Sequence, residues 1–383
     1  MQAQGLNFVT ALTATVAAAV TSIAIAQTPS VTLLGFRPGS TYSQANGVSA
    51  DGSTVVGTSG SRAFIWRANT GLYDIGAEPG ASNLNTYGYA ISADGSTVVG
   101  STGPDFFRWR GQGTFESLGR IGPGYSRSDA TAVSGNGDVI VGWGSTPSPG
   151  SLTRSFRWNS EEGTQTFGFD LSGNSTARGV STDGSTIVGY VRVDTTYRAY
   201  SWSQAGGLTL LPSAGDASAL AVNFDGRIIV GGGGANAVTA TMWRNSQVVD
   251  LGTSPGWQGS AALCVNDDGT VVGGQLAMPD DITSLPQGAI WTPDHGFETL
   301  TTYLNRFGVA FPEGWTASIV NGVSADGRTI VGNARNGLSP EQAFVAVVPA
   351  PAVLTLPALA AFYASRRRRY SNLTPPSPPS PDP

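Results

Sequence analysis

A short phrase that recurs along the chain constrains the fold more than any other feature. The phrase Gly-Val-Ser-Ala-Asp-Gly-Ser-Thr-Val-Val-Gly occupies residues 47–57, and close copies lie at 90–100, 179–189 and 322–332. Looser copies at 132–142, 221–231 and 264–274 bring the total to seven. An Asp-Gly pair between β-branched residues is a strong hairpin signal, because tight hairpin turns need residues with positive φ. A lone hairpin is marginally stable, so seven copies predict repeats that bury one another's faces.

The spacing of the copies indicates the size of each repeat. The Asp or Asn of each turn recurs every 42 to 58 residues, at Asp51, Asp94, Asn136, Asp183, Asp225, Asp268 and Asp326. After six of the seven hairpins comes an aromatic segment that ends in Trp, and then a short Gly-containing turn and a further apolar segment. A period near 42 with four strands, which we name a to d, is typical of a propeller blade.

The two ends of this repeated region complement each other. The seventh repeat stops after its third strand, whereas residues 31–35, ahead of the first repeat, match the fourth strand at residues 73–76. We therefore predict an all-β fold, a seven-bladed β-propeller of four-stranded antiparallel blades over residues 28–348. In this fold the N-terminal strand completes the last blade and removes the open edges. The alternative is an open solenoid.

Composition excludes several classes of function. The net charge is −5, every cationic side chain is Arg, and no Lys is present, which argues against nucleic acid as a partner. A single Cys, Cys264, and a single His, His295, leave no disulfide, no His/Cys metal site and no Cys-His catalytic pair. Each turn Asp is expected to cap its own turn and not to bind calcium. No metal site and no cofactor are predicted.

The N-terminus has the character of an export signal. Residues 1–26 are apolar and Ala-rich, and they end in a small-x-small pattern at Ala24 and Ala26. This pattern predicts a signal peptide that signal peptidase removes. The alternative is an N-terminal membrane anchor.

The C-terminus has the features of a second targeting signal. Pro349 and Pro351 precede an apolar stretch at 352–365, which is followed at once by Arg366, Arg367, Arg368 and Arg369. This order resembles a PEP-CTERM sorting tail, with Ala350 in place of the usual Glu. The resemblance covers residues 349–369 and implies transient insertion in the inner membrane and processing by an exosortase. The alternative is a surface helix with a basic cap. Residues 370–383, rich in Pro and Ser, are expected to be disordered.

The repeats themselves resemble the HAF-type extracellular repeat family. Ala63-Phe64 and Ala343-Phe344 match the Ala-Phe of the motif, and Arg62 and Gln342 occupy the position of its His. The resemblance implies an exported repeat protein and carries no implied activity.

A candidate binding site follows from the lengths of the connections. In a meander of strands a to d, the b–c and d–a connections share one face of the ring, and the long connections all belong to these two kinds. Aromatic and acidic side chains in them suit a sugar ring or a protein patch. The candidate ligand-binding residues are Trp143, Trp257, Tyr303, Trp315, Asp280, Asp281 and Glu313. The alternative is that these loops fold onto themselves.

We therefore expect an exported, non-enzymatic protein of the cell surface or extracellular space that binds a glycan or a surface protein. One alternative is a propeller-type polysaccharide hydrolase or lyase in which Asp281 and Glu313 act as acid and base. The other is a structural matrix component without a discrete ligand.

Overall fold

The computed structural model describes residues 28–349, except 81–84, 112, 169–172, 235–238, 246 and 278–284. The described chain forms seven four-stranded antiparallel sheets. The predicted signal peptide, the extension 370–383 and all of the predicted sorting tail except Pro349 lie outside the described residues.

The strands follow one another along the chain as successive blades. The chain begins with β1 (Ser30–Leu33). Blade 1 contains β2 (Ser43–Val48), β3 (Val55–Ser59), β4 (Arg62–Arg67) and β5 (Gly71–Asp74). Blade 2 contains β6 (Tyr87–Ile91), β7 (Thr97–Ser101), β8 (Phe106–Arg110) and β9 (Thr114–Gly119). Blade 3 contains β10 (Arg127–Val133), β11 (Ile140–Ser145), β12 (Thr153–Asn159) and β13 (Gly163–Phe167).

The second half of the ring repeats this order. Blade 4 contains β14 (Ser175–Val180), β15 (Ile187–Val193), β16 (Thr196–Ser203) and β17 (Gly207–Leu210). Blade 5 contains β18 (Asp216–Val222), β19 (Ile228–Gly234), β20 (Thr239–Arg244) and β21 (Gln247–Gly252). Blade 6 contains β22 (Gly259–Val265), β23 (Val272–Ala277), β24 (Gln287–Thr292) and β25 (Gly296–Thr299). Blade 7 contains β26 (Trp315–Val323), β27 (Thr329–Asn336) and β28 (Gln342–Val347).

The N-terminal strand completes the seventh blade. The order of strands in this sheet is β1-β28-β27-β26, and β1 pairs antiparallel with β28. Val31 lies opposite Ala346 and Leu33 lies opposite Phe344. The seven-bladed ring predicted from the orphan strand is confirmed, and an open solenoid is excluded, because the strand ahead of the first repeat shares one sheet with the last repeat.

Each blade runs from strand a at the axis of the ring to strand d at its rim. The seven a strands are neighbours around the axis, and together they line a central cavity. The a–b and c–d turns lie on one face of the ring, which we call the turn face. The b–c and d–a connections lie on the opposite face, which we call the loop face.

The hydrophobic core is divided among the blade interfaces. Seven buried clusters occur, and each joins two adjacent blades. For example, Val56 and Ile65 of blade 1 pack with Phe107 and Trp109 of blade 2. The Trp that ends strand c belongs to such a cluster in all six blades that have one: Trp66, Trp109, Trp158, Trp202, Trp243 and Trp291. The repeated Trp is therefore an element of blade packing.

The repeated phrase encodes a turn closed by its own side chains. In blade 1 the Ser49 hydroxyl donates to Asp51 Oδ1 at 2.6 Å and accepts from the Thr54 N–H at 3.0 Å. Asp51 Oδ1 also accepts from the Ser53 N–H at 2.9 Å. Burial alone would raise the pKa of Asp51, but the hydrogen bonds from Ser49 and Ser53 outweigh it and lower that pKa. These contacts agree with the expected capping role of the turn Asp.

Gly52 is required at this turn for two reasons. Its φ is +73°, a value that residues with a Cβ rarely adopt. In addition, a Cβ at residue 52 would lie only 2.1 Å from Thr329 Oγ1 of blade 7. The Asp-Gly turn therefore shapes a hairpin and also makes room for the neighbouring blade.

Hydrogen bonds join every pair of neighbouring blades at the turn face. Ala50 N donates to Ala93 O at 2.9 Å, and Ala325 N donates to Ala50 O at 3.0 Å, which joins blade 7 to blade 1. Five further bonds complete the circle: Asp94 N to Gly135 O, Gly135 N to Thr182 O, Thr182 N to Phe224 O, Asn223 Nδ2 to Asp267 O, and Asp267 N to Ala325 O.

One helix departs from the all-β prediction. Helix α1 (Leu300–Asn305) lies in the d–a connection after blade 6, and the Thr299 side chain caps it by accepting from the Thr302 N–H. Leu300 and Leu304 are buried against blades 6 and 7. None of the helical segments among the described residues is long and apolar enough to cross a bilayer.

Candidate ligand-binding cavity

A β-bulge in every a strand directs one side chain toward the axis. In all seven blades the pairing of strands a and b skips the residue five positions before the turn Asx. In blade 1, Ala45 pairs with Gly57 and Gly47 pairs with Val56, so Asn46 is the extra residue. We call these seven residues the axial ring: Asn46, Tyr89, Thr131, Arg178, Leu220, Leu263 and Asn321.

All seven members of the axial ring line a cavity of about 630 Å³ at the centre of the molecule. Toward the loop face the cavity reaches Asp129 and Trp143. Toward the turn face it meets aliphatic side chains three positions before the turn Asx in five blades, among them Val48, Ile91 and Val133. A smaller cavity of about 150 Å³ lies on the other side of those side chains. The volume of the larger cavity is within the ~300–1,000 Å³ of small-molecule sites.

Three polar members of the axial ring join neighbouring blades. Asn46 Nδ2 donates to Gly88 O at 2.7 Å, and Asn321 Nδ2 donates to Ala45 O at 2.8 Å. Thr131 Oγ1 donates to Ala177 O at 2.9 Å. These side chains therefore have a structural role through their donors, and the two Asn side chains retain their Oδ1 acceptors.

Arg178 is the exposed cation of the cavity. It is the exposed member of the axial ring, and within the described parts of the chain its guanidinium forms no hydrogen bond or ion pair. Leu220 and Leu263 follow it around the ring and give the cavity an apolar wall. One side of the cavity is thus polar and cationic, and the other is apolar.

A cluster of aromatic and charged groups lies at the loop-face end of the cavity, between blades 2 and 3. Asp129, 3% exposed, forms an ion pair of 2.8 Å with Arg127. The Arg127 guanidinium lies 5.6 Å from the centroid of the Trp143 ring, in a cation–π contact. Burial and the neighbouring Asp129 carboxylate raise the pKa of Tyr89, so its phenol stays neutral at physiological pH.

Trp143 has a different setting from the one expected. The sequence suggests that it opens the b–c loop of blade 3, whereas it belongs to strand β11 and pairs with Asp129 of β10. The strand continues beyond Gly142 through three more residue pairs, as far as Ser145 opposite Arg127. Trp143 therefore has a fixed position at the cavity, next to Asp129.

The other predicted aromatic residues pack elsewhere. Trp257 is partly buried against the cluster between blades 5 and 6. Tyr303, 8% exposed, and the partly buried Trp315 belong to the cluster between blades 6 and 7. These three side chains cover the core beneath their own loops, and none of them lines the central cavity.

None of the acids predicted to bind a ligand is among the described residues that line the central cavity. Glu313 is exposed in the connection that leads to β26. Asp280 and Asp281 lie outside the described residues. Over the ranges that the structure describes, no group of three or more His, Cys, Asp or Glu side chains is placed to hold a metal ion.

The axial ring itself is the feature that the sequence analysis did not identify. Its members share a fixed place relative to the turn Asx, but they range from Leu to Arg, so no residue type marks the position. A search of each repeat at that fixed offset would have isolated Arg178 as the one cation among the seven residues.

Comparisons with known proteins support the fold. No protein-family model matches the chain, and no curated protein matches it in sequence. A crystal structure of oligogalacturonate lyase from Vibrio parahaemolyticus is similar, with a TM-score of 0.59 and 11% identity over 83% of this chain and 93% of that one. The β-propeller domain of the Trilobed protease from Pyrococcus furiosus has a TM-score of 0.52 and 14% identity over 80% and 95% of the two chains.

At these identities the likeness concerns architecture alone. The repeated phrase, the seven four-stranded sheets and the similar solved structures together identify the chain as a seven-bladed β-propeller.

Proposed function

We propose that the protein is an exported, non-enzymatic propeller that binds an extracellular glycan or surface protein at its central cavity and loop face. The observation that carries this proposal is the cavity of about 630 Å³ in which the exposed Arg178 and the half-buried Trp143 share one lining. Concave sites with an apolar wall and a few polar groups are typical of ligand binding.

The chemistry of the cavity favours binding over hydrolysis. Asp129 is the one carboxylate among its described lining residues, and it is engaged by Arg127 at 2.8 Å. Glycoside hydrolysis generally needs two carboxyl groups about 5–10 Å apart, one as acid and one as base or nucleophile. The described lining offers no such pair, so a hydrolase is the less favoured function.

The loop face also has features that suit a protein ligand. Large apolar side chains are exposed at or beside its connections: Phe36, Tyr42, Leu152, Tyr197, Leu285 and Leu338. Leu338 is the most exposed of these side chains, at 92%. A protein ligand therefore stays the second candidate, with these side chains as its contacts.

A binding experiment with matched variants tests the proposal. Surface polysaccharides and surface proteins would be captured on immobilised full-length protein, on Trp143→Ala and on Phe224→Ala. Phe224 is a suitable control because it is 51% exposed and lies at the cavity on the turn face. We expect Trp143→Ala to lose most of the captured ligand and Phe224→Ala to retain it.

Two outcomes would count against the proposal. If Trp143→Ala captures as much ligand as the wild type and has the same melting temperature, the central cavity is not the binding site. An ordered oligomer of the wild-type protein that captures nothing would favour the structural matrix component.

Export and tail processing rest on the two ends of the sequence. Signal peptidase is the proposed partner of Ala24 and Ala26, and exosortase is the proposed partner of the region from Pro349 to the Arg366–Arg369 cluster. Mass spectrometry of the protein recovered from its own cells would find a new N-terminus after Ala26 and a loss of the basic cluster. Retention of both ends would contradict export by this route and would leave the binding proposal to its own test.

A further inference from the structure

We infer that the central cavity is a binding site for an acidic saccharide, whose carboxylate is held by Arg178. This inference deepens the proposed function and rests on it: it names the class of ligand that the cavity accepts. Charge, hydrogen-bonding groups and apolar surface of the lining each support it.

The first argument is charge. Asp129 and Arg127 neutralise each other at the loop-face end, so Arg178 supplies the uncompensated charge of the described lining. The protein as a whole has a net charge of −5, so a cation held at the axis stands out against an acidic background. A guanidinium matches a carboxylate with two parallel hydrogen bonds, which favours a carboxylate over a cation or a neutral group.

The second argument is the supply of hydrogen-bond acceptors. Asn46 and Asn321 use their Nδ2 donors to join blades, and in the described chain their Oδ1 atoms receive no hydrogen bond. These oxygens accept and do not donate, so they suit ligand groups that bring their own hydrogens. The hydroxyl groups of a saccharide are such donors.

The third argument is the apolar and aromatic surface. Leu220 and Leu263 form one wall of the cavity. Tyr89 belongs to the opposite side of the axial ring, and Trp143 lies at the loop-face end of the cavity. A sugar ring has an apolar face of C–H groups that packs on such surfaces, while its hydroxyls point to polar groups. A polar anion without such a face, for example inorganic phosphate, would leave this surface uncovered.

The test compares two trisaccharides that differ in charge. Triglucuronate, a β-1,4-linked trisaccharide, carries a carboxylate on each ring where cellotriose carries a hydroxymethyl group. Titration calorimetry at low salt would measure both probes on the full-length protein and on Arg178→Gln. The matched control is Arg227→Gln, which removes the same charge from the turn face, where the Arg227 side chain is 77% exposed.

The expected result is binding of triglucuronate that depends on Arg178. Arg178→Gln should weaken it about 10- to 100-fold, as is typical for loss of one charge-assisted contact. Arg227→Gln should stay within twofold of the wild type. Cellotriose should bind the wild type more weakly than triglucuronate, and the preference for the acid should shrink at high salt because screening weakens an accessible ion pair.

Two further variants protect the test against a loss of folding. Arg178→Leu places at this position the residue that blades 5 and 6 already carry there, so the ring accommodates it. Arg178→Lys keeps the charge without the planar guanidinium, and it should retain part of the affinity.

Several outcomes would overturn the inference. These are equal affinity of the wild type for both trisaccharides, no binding of triglucuronate, or unchanged affinity in Arg178→Gln and Arg178→Leu. If Trp143→Ala still loses ligands from surface extracts in that case, the proposed function stands and the acidic saccharide is wrong. If Trp143→Ala also captures ligands as the wild type does, both fall.

Discussion

The side chain of Asn321 donates a hydrogen bond of 2.8 Å to the backbone carbonyl of Ala45. The two residues belong to the last and first blades, and they are 276 positions apart in the sequence. Thr131 makes the corresponding bond to Ala177 of the next blade, so a hydroxyl can replace the amide at this position.

Replacement of Asn321 should therefore weaken the ring in a graded way. We expect Asn321→Ala to lower the free energy of unfolding by about 1 kcal/mol, because it removes the donor of a partly buried hydrogen bond. Asn321→Thr should recover part of that loss, by analogy with Thr131. Urea unfolding followed by Trp fluorescence measures both variants. An unchanged stability of Asn321→Ala would mean that the bond to Ala45 contributes little, and equal losses for Ala and Thr would mean that a hydroxyl does not replace the amide here.

The N-terminal strand provides a second prediction. Val31 and Leu33 face the cluster between blades 6 and 7, whereas Thr32 between them is exposed. The double variant Val31→Asp/Leu33→Asp should lose about 2–4 kcal/mol, because it places two carboxylates against apolar side chains. Thr32→Asp is the matched control and should melt close to the wild type. Equal melting temperatures for all three proteins would show that β1 contributes nothing to stability.

The turn carboxylates predict how stability depends on pH. In Asp51, Asp94 and Asp183, burial acts to raise the pKa, but hydrogen bonds from the neighbouring Ser residues lower it below the ordinary value of 3.8. A group with a lowered folded pKa stabilises the protein above its unfolded pKa, and this contribution is lost as the pH falls through the folded pKa. The stability that these turns contribute should therefore be constant near neutrality and decline below about pH 4.

Asn136 offers a natural control for this effect, because its Oδ1 makes the same kind of contacts without a charge. The triple variant Asp51→Asn/Asp94→Asn/Asp183→Asn should melt below the wild type at pH 7, because it lacks the charges that the hydrogen bonds of the turns stabilise. Its melting temperature should then fall less steeply between pH 5 and pH 3. If the melting temperatures of the two proteins fall equally steeply below pH 5, the three carboxylates are not the source of the pH dependence.

A comparison of two glycines distinguishes the cost of backbone strain from the cost of a steric clash between blades. Gly52 and Gly71 have nearly equal φ values of +73° and +70°. A Cβ at Gly52 would meet Thr329 Oγ1 at 2.1 Å, whereas a Cβ at Gly71 has no atom within 4 Å. Gly71→Ala should cost about 1–2 kcal/mol from backbone strain alone. Gly52→Ala should cost more, and Thr329→Ala should relieve part of the excess in a double-mutant cycle, because it removes Oγ1 but leaves the Thr329 Cβ 2.8 Å from the new methyl group. Equal costs for the two glycines would mean that the blades separate easily there.

The single thiol should report the opening of the ring. Burial raises the pKa of Cys264 to about 12, so the thiol is protonated and unreactive at pH 8. We expect Cys264 to react with Ellman's reagent only in the urea range where the protein unfolds. Ser53→Cys places an exposed thiol on the turn face and should react at once. Rapid reaction of Cys264 in the native protein would show that blades 6 and 7 separate under native conditions.

Much of the architecture is encoded locally, and so the sequence predicts it. The Asp51-Gly52 turn is closed by hydrogen bonds to Ser49 and Ser53, each two residues from Asp51. The same turn recurs in every repeat, so counting its copies predicts the number of blades. The closing strand was predictable because residues 31–35 resemble the fourth strand of blade 1.

The candidate cavity depends on relationships that no short segment contains. Arg178 and Leu220 occupy the same bulge in successive blades, and only the ring brings them to one axis. The fate of the loop aromatics is also non-local: Tyr303 is buried because helix α1 presses it onto the cluster between blades 6 and 7. A polarity pattern within the loop does not reveal which surface lies beneath it.

The seam of the ring has a consequence for synthesis. Strand β1 is made before the other strands of the described ring, but its partner β28 ends at Val347. The ribosome must therefore release nearly the whole propeller before the earliest strand finds its place. Until then β1 has no partner strand, and blade 1 exposes the apolar face that blade 7 covers in the closed ring, so both are open to contact with other chains.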